Sequence, residues 1–113
     1  MIAESTIELY QCKLMVLHSA YKIDRKEDFK SEVSMTKHFV ANALNRIIDR
    51  AIQVHGALGY SKDTPLADMF LHARWARFAD GADEVHQMRI AQRTIAAYRD
   101  HGSTRTATGD LPV

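Results

Sequence analysis

Few residues in this sequence would interrupt a helix. Two prolines and five glycines stand among 113 residues, and they leave long stretches that contain neither. Those stretches lack the alternating β-branched runs that are typical of strands. Apolar side chains instead return every three or four residues, which is the period of one helix face. The sequence therefore predicts an all-α protein.

Four helices are predicted from this spacing. Gly56 and Gly59 end the second helix, because glycine supplies a left-handed cap at little steric cost. Thr64 is the expected N-cap of the third helix, with Pro65 at its first position. The predicted helices cover about residues 3–22, 25–57 and 65–79, and then the stretch from Gly81 to about residue 100.

The helices are expected to form a four-helix up-down bundle over residues 1–100, because the connections are short and the apolar spacing is heptad-like. Residues 101–113 have no apolar periodicity and are predicted to form a disordered tail. Two stripes on the second helix need more partners than one bundle provides, which predicts an oligomer or a missing domain. The residues expected to pack inward are Ile7, Tyr10, Leu14, Leu17 and Tyr21 on the first helix and Val85, Met88, Ile95 and Tyr98 on the fourth.

Charge and composition exclude several classes of protein. The 15 basic and 14 acidic residues give a formal charge of +1, whereas a dedicated nucleic-acid binder normally carries a basic face. No apolar run approaches the roughly 20 residues of a membrane-spanning helix, and no signal peptide is visible at the N-terminus. A single cysteine, Cys12, indicates a reducing compartment. We expect a cytoplasmic protein without nucleic-acid or membrane partners.

The segment Ala79-Asp-Gly-Ala-Asp-Glu-Val-His86 contains three carboxylates within five residues. They have an ordinary structural interpretation: Asp80 as the N-cap of the fourth helix and Asp83 as the acidic member of a capping box. Glu84 would then favour the positive end of the helix. The functional interpretation is that Asp80, on a sharp turn beside a glycine, is presented as a base while the neighbouring residues position a cofactor.

The histidines and carboxylates of the chain raise a second possibility, a metal centre. Di-iron helical bundles use paired Glu-x-x-His motifs with two further glutamates. This chain has only Asp83-x-x-His86 and Asp68-x-x-x-His72, so no metal site is predicted. The segment Gln53-Val-His-Gly-Ala-Leu-Gly-Tyr60 reads by itself as a helix end and a turn, whose small residues would allow a ligand to approach the backbone.

Together, the two segments resemble motifs of the acyl-CoA dehydrogenase family. Gln53-Val-His-Gly-Ala-Leu-Gly-Tyr60 resembles the family's Gln-x-x-Gly-Gly-x-Gly-[Tyr/Phe] motif. About twenty residues later, Ala73-Arg-Trp-Ala-Arg-Phe-Ala-Asp-Gly-Ala-Asp-Glu-Val-His86 resembles its Ala-[Arg/Lys]-Ile-x-x-Ile-x-Glu-Gly-[Thr/Ser] stretch. The Ala-Asp-Gly-x-Asp-Glu-Val-His form of this stretch resembles the motif of one branch of the family, whose members are sometimes fused to kinase-like domains. The resemblance covers residues 3–100 and implies the fold of the family's C-terminal helical domain.

The resemblance also implies a reaction and a set of site residues. Family members bind FAD as dimers or tetramers and dehydrogenate an acyl-CoA thioester between its α and β carbons. Asp80 stands where the family most often has its catalytic glutamate, the α-proton base. The cofactor-binding positions that the resemblance assigns are Gln53, Gly56, Gly81 and Glu84, the first two facing the FAD of a neighbouring subunit.

Some positions depart from the family pattern. Ala57 replaces the second glycine of the first motif, and Ala82 replaces a hydroxyl residue that would bond the flavin. The chain also lacks the N-terminal and middle domains, so we expect it neither to hold FAD tightly nor to oxidise acyl-CoA alone. The chain is then a fragment of a longer enzyme, a short protein that works with a partner, or a remnant, and we expect a homo-oligomer or a partner chain that supplies the missing domains. The alternative is a non-catalytic helical oligomerisation module derived from the family.

Overall fold

The computed structural model describes residues 1–103, in which helices are joined by turns and no strand occurs. The all-α class predicted from the sequence is confirmed. The four predicted helices correspond to α1, α2, α4 and α5, and a short helix, α3, follows the glycine that ends α2. Residues 104–113 of the predicted tail lie outside the described part. The helices are α1 (Ile2–Asp24), α2 (Lys30–His55), α3 (Ala57–Tyr60), α4 (Leu66–Trp75) and α5 (Asp83–His101).

The long helix α2 organises the fold. Each of the other helices packs against it, and within residues 1–103 α1 has no other helical neighbour. Because α4 and α5 both lie on α2, the turn that joins them is held beside the same helix. This turn, residues 76–82, is called the connecting turn below.

Two predicted helix starts need correction. Thr64 does not cap α4; its hydroxyl donates to the carbonyl of Leu58 at 3.3 Å, and Pro65 occupies the N-cap position. Asp80 does not cap α5 either, because the helix begins at Asp83 with Ala82 at its N-cap. α4 also ends at Trp75, four residues before the predicted end, so the connecting turn is longer than expected.

The apolar stripe of α1 does not pack on α2, contrary to expectation. Ile7 is 59% exposed and Leu17 is 64% exposed. The stripe on α5 behaves alike, since Met88, Ile95 and Tyr98 are all exposed. Periodicity identifies an apolar face correctly but does not say which neighbour covers it, and here none of residues 1–103 does. The residues of α1 that are at least partly shielded from solvent are Ser5, Glu8, Cys12, Met15, His18, Ser19 and Lys22.

Polar contacts join α1 to α2 instead. Arg50 Nη1 donates to the Glu8 carboxylate at 2.6 Å, and Lys22 Nζ donates to Glu32 at 2.8 Å. The Glu8 pKa is lowered chiefly by its hydrogen bond from Arg50. Charge-assisted bonds of this kind are stronger and more directional than neutral ones. They fix how α1 lies along α2 without burying large apolar side chains.

The interior of the described chain is small and partly polar. Four of its five buried hydrophobic residues are alanines, the fifth being Ile48. Large apolar side chains are mostly outside, which is unusual for a monomer, because extended apolar surface usually marks an interface. The buried polar residues are Ser19, Ser31, Glu32, Ser34, Asp83 and His86.

Candidate functional site

The connecting turn continues α4 loosely before the chain reverses. The amides of Ala76 and Arg77 donate to carbonyls three residues earlier rather than four, which is the tighter pattern that often ends helices. At the other end, the amide of Asp83 donates to the carbonyl of Arg77 at 3.2 Å. The turn is therefore closed by its own backbone and projects Asp80 at its tip.

Asp80 has a left-handed backbone conformation, with φ of 54°. Aspartate and asparagine tolerate this conformation better than most residues, because their short polar side chains can be accommodated there. The side chain is exposed. Within residues 1–103 its carboxylate has no hydrogen-bond or ion-pair partner, and its backbone N–H has no acceptor. Asp80 thus presents a free carboxylate and a free amide at one point of the turn.

Gly81 is required by this backbone path. Its φ is 101°, and a Cβ added there would lie 2.8 Å from Nε2 of His86. The same His86 nitrogen lies 3.3 Å from the carbonyl oxygen of Asp80. Since His86 is buried, a larger residue at position 81 would push the turn and the imidazole ring apart.

Asp83 ties the turn to α2. Its carboxylate is buried and accepts hydrogen bonds from Arg77 Nε at 2.7 Å and Asn42 Nδ2 at 3.0 Å. His38 Nδ1 lies 3.4 Å from its other oxygen. Burial alone would raise the Asp83 pKa, but the hydrogen bonds from Arg77 and Asn42 outweigh it and leave the pKa lowered. Asp83 is therefore a buried anchor, and the capping-box interpretation is wrong.

Lys37 of α2 makes a second tie. Its Nζ donates to the carbonyl of Ala76 and to the carbonyl of Gly81, each at 2.8 Å. Sequence reasoning missed this lysine and Asn42. The available signal is that polar side chains interrupt α2 close to its apolar stripes, where burial would demand a hydrogen-bond partner.

An open groove of about 650 Å³ lies beside the turn, between the start of α2 and the middle of α5. Asp80 and His86 stand at its edge, and α5 contributes two arginines. One of them, Arg93, donates to Ser31 Oγ at 2.6 Å and pairs with Asp28. The other residues that line the groove are Phe29, Lys30, Val33, Ser34, Arg89, Ile90 and Gln92.

The predicted site residues fall into two separate groups. Asp80 and Gly81 lie in the connecting turn, and Glu84 follows on the exposed first turn of α5. Gln53 and Gly56 lie at the opposite end of α2. Sixteen residues separate Lys37 from Gln53, which is about 24 Å along a helix axis. Within one chain, the two groups therefore cannot meet at a single small site.

The distal segment, residues 53–60, is open. Gln53 is exposed, and an added Cβ at Gly56 would meet nothing within 4 Å. Gly56 has φ of 60° and ends α2. An apolar groove of about 470 Å³ lies nearby, between the start of α1 and the end of α2. A large ligand or another chain can therefore approach the backbone at Gly56, whereas Gly59 is buried.

Residues 1–103 contain neither a metal-binding cluster nor a membrane-spanning helix. No group of three or more His, Cys, Asp and Glu side chains in residues 1–103 is placed to hold a metal ion. None of the helices in that part of the chain is both long and apolar enough to span a bilayer.

Fold and site together define a helical domain with an exposed carboxylate, that of Asp80, on a turn that Lys37 holds by two hydrogen bonds. The family model described as acyl-CoA dehydrogenase, C-terminal domain, matches residues 1–95. The chain therefore belongs to the acyl-CoA dehydrogenase family, as the resemblance of its two motifs predicted.

Individual relatives agree. Acyl-CoA dehydrogenase family member 11 from Gallus gallus is 47% identical over 93 residues, which are 80% of this chain and 12% of that protein. (R)-Benzylsuccinyl-CoA dehydrogenase from Thauera aromatica is 37% identical over 101 residues, 88% of this chain and 25% of that protein. A solved structure from Mycobacterium abscessus, assigned as an acyl-CoA dehydrogenase, matches with a TM-score of 0.82 at 41% identity. The match covers 86% of this chain and 24% of the Mycobacterium abscessus chain. This chain therefore spans a quarter or less of the length of each of these three relatives.

Proposed function

We propose that this chain serves as the C-terminal helical domain of an FAD-dependent acyl-CoA dehydrogenase, with Asp80 as the α-proton base. The observation that supports this most directly is the free carboxylate of Asp80, displayed in a left-handed conformation on the connecting turn. A structural aspartate would be expected to cap a helix or pair with a cation, as Asp83 does with Arg77. Membership of the family supplies the reaction class.

The described residues are compatible with a bound flavin nucleotide. Open space around Gly56 and the exposed amide of Gln53 leave room and a donor for it at the distal segment. Glu84 offers an exposed carboxylate at the other end of the molecule. Because the two ends lie about 24 Å apart along α2, we propose that they serve the cofactors of different subunits. When bound, FAD supplies the acceptor for the hydride that leaves the β carbon.

In this mechanism Asp80 takes the proton from the α carbon of the acyl-CoA thioester. Its own backbone N–H, which has no acceptor within residues 1–103, donates to the thioester carbonyl as negative charge develops there. Base and amide belong to one residue, so a single turn sets the geometry of both. Loss of the α proton and the β hydride leaves an α,β-double bond in the acyl group.

The test is Asp80→Asn in the flavin-loaded enzyme that contains this domain. Asparagine keeps the size of the side chain and tolerates the left-handed backbone, but it cannot accept the proton. Turnover should fall by about 100-fold or more, with flavin absorbance unchanged. Asp63→Asn, which alters an exposed aspartate in the loop before α4, is the matched control. Normal turnover in the Asp80 variant would remove Asp80 from the base role.

The substrate class and the cellular setting follow from the same proposal. An acyl-CoA thioester is the proposed substrate, and the name of the Thauera aromatica relative, a CoA-ester dehydrogenase, is in keeping with it. A cytoplasmic location is proposed from the single cysteine, Cys12, which is a free thiol.

The exposed face of α1 favours a second candidate function, a non-catalytic module for self-association. Leu14 and Leu17 are 50% and 64% exposed, on a helix that within residues 1–103 packs only against α2. Flavin absorbance and light-scattering mass, measured with and without added FAD, separate the two functions. A flavin-bound oligomer supports the dehydrogenase domain, whereas a colourless oligomer that Leu17→Glu dissociates supports the module. Lys13→Glu, which changes an exposed position on the same helix, is the control.

A further inference from the structure

We propose that Lys37 is a positioning residue that holds the connecting turn in the conformation that presents Asp80. This inference rests on the proposed role of Asp80 as the base. Lys37 lies in the first third of α2 and donates from one ammonium group to two backbone carbonyls of the turn, those of Ala76 and Gly81, each at 2.8 Å. Those two residues stand on either side of Asp80.

The chemistry of the two acceptors suits a cation. Ala76 is the C-cap of α4, so its carbonyl lies at the negative end of that helix, where positive charge is favoured. The ammonium group of lysine has three rotatable donors and can serve two carbonyls that diverge. Lys37 is partly buried, so water competes less for these bonds than it would at a free surface.

The Gly81 contact matters most for the position of Asp80. A glycine at φ of 101° has wide conformational freedom, and that freedom would let the adjoining peptide rotate. Two contacts restrain it: Lys37 holds the carbonyl of Gly81, and His86 Nε2 lies 3.3 Å from the carbonyl of Asp80. Within residues 1–103, Lys37 is the side chain that bonds the Gly81 carbonyl.

Lys37 acts through the backbone and not on the reacting group. No contact joins its ammonium to the Asp80 carboxylate in the described chain. Removing the lysine should therefore leave a competent base on a turn that samples wrong orientations. A misplacement of about 1 Å can cost about 100-fold in rate, and it should appear in kcat more than in KM.

The first test compares Lys37→Met with Lys13→Met in this 113-residue chain by NMR. Methionine keeps most of the aliphatic stem and removes the donors, and Lys13 is an exposed lysine of α1. We expect the amide signals of Asp80, Gly81 and Ala82 to move only in the Lys37 variant. In the flavin-loaded enzyme, kcat should fall about 10- to 100-fold with KM nearly constant, and Lys37→Arg should restore part of it.

The outcome that overturns the proposal is a Lys37→Met chain whose turn signals and kcat match those of the Lys13 control. Should Lys37→Met fail to fold, Lys37→Gln keeps a polar side chain without the ammonium group and is read in the same way. A loss spread over all amides, with kcat and KM changed together, also counts against a positioning role. The proposed role of Asp80 as the base is tested separately, because normal turnover of Asp80→Asn would contradict it. The two proposals are therefore contradicted by results from different variants.

Discussion

The two ends of α2 are built in opposite ways. Its first half is bonded to the connecting turn through Lys37, Asn42 and the buried carboxylate of Asp83. Its last turn leads into the distal segment, where Gln53 and Gly56 are exposed. The groove near the first half contains charged side chains, while the groove near the end is lined mainly by apolar ones.

The two ends therefore differ in how far contacts within residues 1–103 satisfy them. The connecting turn is held by hydrogen bonds to Lys37 and by its own backbone within residues 1–103. The distal segment has a defined backbone but little to cover it, and the apolar face of α1 is similarly bare. Within residues 1–103 the connecting turn is therefore held by the chain's own contacts, whereas the distal segment leaves room for another molecule.

The largest loss of stability is expected from Asp83→Asn, at the anchored end of α2. The variant replaces the carboxylate that accepts from Arg77 and Asn42 by an amide, and leaving such donors poorly paired typically costs up to about 3 kcal/mol. The free energy of unfolding from urea titration measures the loss. Glu84→Gln changes the next residue, which is exposed, and should stay within about 0.5 kcal/mol of wild type. Equal effects of the two variants would contradict the anchoring role of Asp83.

A pair of glycine variants sharpens the comparison. Gly81→Ala must accept φ of 101° and a Cβ 2.8 Å from His86, so we expect a loss of about 2 kcal/mol or more. Gly56→Ala faces positive φ but open space, and about 1 kcal/mol is expected from the backbone alone. Thermal and urea unfolding measure both. A Gly56→Ala loss as large as that of Gly81→Ala would mean that the His86 contact contributes nothing.

The anchored end should contribute to the pH dependence of stability through Asp83. The Asp83 pKa is lowered in the folded chain, so its contribution is present above the unfolded value of about 3.9. That contribution is lost as pH falls through the folded pKa. The stability difference between wild type and Asp83→Asn should therefore shrink in acid. Urea titrations at neutral pH and below pH 4 test this, and a constant difference would contradict it.

The smallest effect on stability is expected at the distal segment. Gln53→Ala removes an exposed side chain and should change the free energy of unfolding by less than about 0.5 kcal/mol. Flavin affinity of the assembled enzyme should weaken by about two- to tenfold, the effect of one lost hydrogen bond. Fluorescence titration measures the affinity, with Lys62→Ala in the following loop as a control. Unchanged affinity would remove Gln53 from the cofactor site.

Local chemistry made part of the site predictable. The Asp80-Gly81 pair breaks a helical pattern, so a turn there could be read from the sequence, and the two motifs gave the family. The role of Asp83 was misread, because a capping box and a buried ion pair begin with the same local spacing. Lys37 could not be found this way, since its acceptor at Gly81 lies 44 residues away and no local rule connects them.

The sequence by itself determined the helical class, the approximate helix ends and the membership of the family. These depend on short-range properties: the 3.6-residue period, glycine and proline at breaks, and residue order in two motifs. The tertiary structure decided which face of each helix meets a neighbour. Ile7 and Leu17 form an apolar face, yet a polar face of α1, with Glu8 and Ser19, is the one packed on α2. The spacing of apolar residues shows only that a face is apolar. Which part of this chain or of another chain buries that face depends on contacts between residues far apart in sequence.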